Sequence, residues 1–138
     1  MLVLKVVLVL AVGALIVYLL HKINIFTAKK YKCEFFSIEY FSIFLCIFGL
    51  AFWGYDWYFD ALKAKGDVLN GILIMAFTSI IYLLVLISNI RKSSFFFGLL
   101  ITILQTIVFL PLSAAVLIIV IITLLFLSQT RPVYVLNK

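Results

Sequence analysis

Charge is scarce in this chain: Asp, Glu, Lys and Arg make up only 12% of residues, where a soluble domain carries about 25%. Between Phe95 and Leu127 there is none at all. Roughly 20 apolar residues cross a bilayer, and that run is well past this length. Mean hydropathy over the whole chain is +1.35. A water-soluble fold is excluded. Histidine occurs once, at His21, and its neighbouring lysine cannot help it build a metal site. The two cysteines, Cys33 and Cys46, form no Cys-x-x-Cys pair, which argues against a membrane thiol oxidoreductase. Each reads as a small apolar residue. No glycine pattern matches a Walker loop or a dinucleotide fingerprint. Asp56 and Asp60 lie beside Lys63 and Lys65, so they read as a solvated stretch and not a buried acid pair. No cofactor is expected, and the chain reads as non-enzymatic.

What remains is four apolar runs: Leu2 to Leu20, Phe35 to Trp57, Val68 to Ile90, and Phe95 to Leu127. The first three are each about one bilayer thick as helix. No repeated alternation of the β-barrel kind is present. The expected fold is all-α, a polytopic membrane bundle of four transmembrane helices in a single domain. Leu2 to Leu20 lacks a small-residue cleavage pattern and reads as a true span. Around Pro111 the sequence Phe-Leu-Pro-Leu-Ser offers no Gly, no Asn and no polar loop. A turn there would strand backbone groups in hydrocarbon. The last run is therefore expected to be one helix, kinked at Pro111. Its length of about 50 Å exceeds the roughly 30 Å of hydrocarbon. Tilts averaging about 20° absorb only part of that excess. The surplus calls for protein cover, hence an oligomer or a complex.

Basic residues set the expected sidedness. The loop from His21 to Glu34 carries Lys22, Lys29, Lys30 and Lys32, and the loop after Ile90 carries Arg91 and Lys92. The intervening loop, Asp56 to Asp67, has Lys63 and Lys65 against Asp56, Asp60 and Asp67. The two basic loops are thus assigned to the cytosol, with the amino terminus outside. Trp53, Tyr55, Trp57 and Tyr58 suit an outer interface belt. The tail opposes the bias, because a fourth crossing leaves Arg131 and Lys138 outside. The basic loops suit anionic lipid headgroups or an acidic cytosolic protein, and direct nucleic-acid binding is not expected.

Polar residues inside the runs are few. Glu39 lies about one turn into the second run, where it can snorkel, pair with Lys32, or handle a proton or cation. Gly66 and Asp67 read as a tight turn followed by an N-cap. Asn70 and Gly71 then enter the membrane, where amides bond across helices and glycines permit close approach. The outer residues Asp56, Asp60, Lys63, Lys65 and Asp67 form a candidate sensing or contact surface. Thr102, Thr106, Phe109 and Ser113 share one helix face, with Gln105 adjacent. That stripe reads as helix packing, since a pore would need charge rings or carbonyl filters. No corresponding Pro or Gly pattern links the third and fourth runs, which argues against an inverted-repeat transporter.

Lysine outnumbers arginine nine to two and phenylalanine is frequent, a bias associated with AT-rich, horizontally acquired bacterial genes. A bacterial inner membrane is the expected location. In layout the chain resembles the membrane subunit of the Kiwa anti-phage system. The likeness lies in four spans, a basic inner loop at Lys22 to Lys32, a short polar outer loop at Asp56 to Asp67, and no enzymatic site. It implies a homo-oligomer that senses envelope perturbation and recruits a cytosolic partner. Two other readings stay open: a colicin-type immunity or entry-exclusion protein acting within the bilayer, and a small channel or transporter using Glu39 and the Asn70 region.

Overall fold

A computed structural model describes residues 1–129, and Arg131 and Lys138 of the tail lie outside the described residues. Four helices follow in order: α1 Leu2–Tyr31, α2 Ile38–Lys63, α3 Leu69–Lys92 and α4 Phe95–Gln129. There is no strand among the described residues. Each helix is long and apolar enough to cross a membrane. The molecule is an all-α, multi-pass membrane protein.

The helix boundaries depart from the apolar runs, for a physical reason. Polarity marks where lipid should end, but a helix ends only where its backbone is made to turn. Between His21 and Tyr31 there is no Gly or Pro, so α1 continues through the stretch expected to be a loop. Lys29 and Lys30 fall in its last turn, where cations complement the helix dipole. α1 stops at Lys32, which takes a left-handed conformation (φ 54°, ψ 30°) while its N–H bonds the Ala28 carbonyl at 3.1 Å. The connection is only Lys32 to Ser37. Ser37 is extended, and its hydroxyl accepts the Tyr40 N–H at 3.5 Å. α2 therefore starts at Ile38 and not at Phe35.

At the other end α2 runs past Trp57 to Lys63, so most of the expected outer loop is helical. The turn that closes it is a Schellman motif. The Gly66 N–H bonds the Ala61 carbonyl at 2.9 Å, and the Lys65 N–H bonds the Leu62 carbonyl at 3.3 Å. The left-handed residue is Lys65, with φ 51°, and not Gly66. Asp67 stands one place before the N-cap, Val68, yet its carboxylate accepts the Leu69 N–H at 2.8 Å. α4 is continuous through Pro111, although proline has no N–H to give the Ile107 carbonyl.

α2, α3 and α4 pack on one another, α2 and α4 antiparallel to α3. Among the described residues α1 meets them chiefly by its last third, where Phe26 and Tyr31 approach Phe97 with centroids 6.4 and 5.0 Å apart. From Val3 to Leu19 every side chain of α1 is exposed. The buried core is Phe35, Tyr40, Phe44, Ile47, Val85, Ile101 and Phe109. It lies toward the end that carries the lysines of α1, here the basic end. The opposite, aspartate end holds the α2–α3 turn.

Candidate functional site: an amide lock beneath a basic face

Inside the basic half, an amide chain ties three segments together. The Phe35 carbonyl, in the α1–α2 connection, can only accept. Gln105 of α4 therefore turns its Nε2 toward it, at 2.6 Å. That leaves Gln105 Oε1 facing α3, where it accepts from Asn89 Nδ2 at 2.7 Å. The same Asn89 nitrogen donates to Thr102 Oγ1 at 2.9 Å. Gln105 and Asn89 are both fully buried. The order of donors fixes both amide orientations and leaves Asn89 Oδ1 with no partner among the described residues. Ser113 Oγ is likewise buried without one.

Two further clamps surround this chain. Asn24 of α1 holds both backbone groups of Phe36, accepting from its N–H at 2.9 Å and donating to its carbonyl at 2.8 Å. Tyr82 of α3 bonds Thr106 of α4 at 3.0 Å. In hydrocarbon such groups have no water to turn to, so pairing them specifies which faces meet. Gly98 completes the fit: a Cβ there would lie 2.6 Å from the Ile90 backbone.

Around this lock lie the residues expected to bind a partner. Lys22, Lys29 and Lys30 ride on α1, Lys32 caps it, and Arg91 and Lys92 end α3; all six are exposed. Lys22 lies over the Tyr18 ring, and Lys30 lies between the Phe26 and Tyr31 rings. Lys92 reaches back to α2, donating to Tyr40 Oη at 3.0 Å. It shares a hollow of about 440 Å³ with Lys32, Glu34 and Glu39. Glu39 is exposed in the first turn of α2, closer to the helix end than the apolar run implied.

The outer group stays at the aspartate end. Asp56, Asp60 and Lys63 are exposed on the last turns of α2, and Lys63 approaches Asp60 at 3.9 Å. Lys65 and Asp67 shape the turn. Asn70 is exposed and makes no cross-helix bond among the described residues; the close approach belongs to Gly71, where a Cβ would meet the Tyr58 backbone at 2.8 Å. Glu39, Asn70 and Gln105 thus do not converge.

Sequence reasoning picked out the α4 stripe, and the structure places Thr102, Gln105, Thr106 and Ser113 inward. It passed over Asn24, Tyr82 and Asn89. A lone amide near the end of an apolar run was the available signal for Asn24 and Asn89. No protein-family model, curated protein or solved structure matches the chain.

Proposed function

We propose that this protein is a non-enzymatic membrane scaffold, which assembles with copies of itself and offers its basic face to an acidic cytosolic protein. The observation that carries the reading is the uneven use of apolar surface. Burial is concentrated in the basic half, whereas α1 from Val3 to Leu19 and α4 from Ile118 to Phe126 are exposed. Lipid covers such helices over about 30 Å. α4 spans 35 residues, about 52 Å, and its excess apolar turns are best covered by protein. The excess of basic residues favours the cytosol for the basic face. The residues there have no carboxylate within ion-pairing distance, the one ion pair among the described residues being Lys63–Asp60.

The resemblance to the Kiwa membrane subunit adds a setting: a bacterial inner membrane and anti-phage defence, with the outer loop as sensor. Purification in mild detergent tests the assembly. A defined multimer is expected, and a monomer at all concentrations would remove the proposal. Neutralising Lys30, Lys32 and Arg91 together should then abolish in-cell cross-linking to the cytosolic partner while the multimer persists.

A further inference from the structure

We infer that the cleft between α1 and the start of α2 holds one phospholipid with a primary-ammonium headgroup. The cleft measures about 460 Å³ and is walled by Val17, Leu20, Phe41, Val108 and Leu112, with His21 and Asn24 at its polar end. A second hollow, of about 490 Å³, shares His21 and Asn24 and adds Lys29 and Glu34. The two hollows share His21 and Asn24 and so adjoin along α1, the first mostly apolar and the second charged. From Val17 to Lys29 their α1 walls extend about 18 Å, long enough for a headgroup and the upper part of an acyl chain. Asn24 spends its amide on Phe36, which pins α1 at this level and leaves the groove open below.

The charges select the headgroup. Lys29 and Glu34 line the same hollow, both are exposed, and neither forms an ion pair among the described residues. A phosphate diester beside Lys29 and an ammonium beside Glu34 satisfy both at once. A purely anionic headgroup leaves Glu34 facing like charge. A choline headgroup carries no N–H to donate to the Glu34 carboxylate. Phosphatidylethanolamine chemistry fits where the other two fall short. This assignment does not depend on the scaffold reading.

The test uses the full chain, delipidated in detergent, with phosphatidylethanolamine, phosphatidylglycerol and phosphatidylcholine of matched acyl chains. Phosphatidylethanolamine should raise Tm the most, by several degrees, and be the lipid retained in native mass spectrometry. Glu34→Gln should reduce its effect to that of phosphatidylcholine, and Lys29→Gln should weaken all three. Both positions are exposed, so these variants fold. Equal responses to the three lipids, or a preference for phosphatidylglycerol, would overturn the inference. So would disulfide cross-linking between copies through Val17→Cys, which would give the cleft to a second copy.

Discussion

The two ends of this bundle are held by different forces. In the basic half, Phe35, Phe44, Ile101 and Phe109 are buried beside the Gln105–Asn89 chain, so shape and hydrogen bonding agree on one arrangement. Toward the aspartate end, α2 and α3 meet through Gly54 and Gly71, and the far parts of α1 and α4 touch little. The hydrophobic effect that builds a soluble core offers nothing between helices already in lipid. Order therefore follows wherever polar groups or close backbone contact supply a reason to associate. One half has both. The other has mainly the second.

The largest expected effect comes from collapsing this contrast at Gly98. Gly98→Val puts a branched side chain against the Ile90 backbone, which cannot yield, and should cost about 3 kcal/mol or more. Reversible unfolding in mixed micelles measures it; a loss below about 1 kcal/mol would show that α3 and α4 do not approach as described. Next comes Gln105→Leu, which leaves the Phe35 carbonyl and an Asn89 donor unpaired and should cost about 1–3 kcal/mol. If unfolding free energy is unchanged, the amide chain is not what distinguishes the basic half.

Gly71→Ala examines the other half and should cost about 1–3 kcal/mol, because the Tyr58 backbone stands in the way. Its effect should be confined to the α2–α3 hairpin, with hydrogen exchange around Asn89 unaltered; faster exchange at Asn89 would contradict the separation of the halves. Gly13→Ala is the smallest change and has the opposite sign. A Cβ at Gly13 meets none of the described residues within 4 Å, so the substitution should stabilise α1 by no more than about 1 kcal/mol. A destabilised Gly13→Ala variant in the assembled protein would instead reveal a partner packed on α1.

Legibility followed the range of the interaction. The class and number of helices could be read directly, since the uncharged run from Phe95 to Leu127 needs no knowledge of its neighbours. Helix ends were misjudged where polarity stood in for backbone geometry. His21 to Tyr31 stayed helical, and Asp56 to Lys63 did too, because neither stretch holds a Gly or Pro to break it and lysine, alanine and leucine are sound helix formers. The inward stripe of α4 was visible as spacing, but its partners were not. Asn89 stands at the border of an apolar run, where the same residue could equally have faced headgroups.

Along the chain alone, hydropathy determined that these segments are helices in a membrane, because transfer of a side chain into lipid is a property of that residue and its near neighbours. Only the tertiary structure decided that Gln105 bonds a carbonyl 70 positions away, that Lys92 bonds Tyr40, and that α1 from Val3 to Leu19 is left exposed. Those outcomes depend on helix rotation and register, which bring particular donors within 3 Å of particular acceptors.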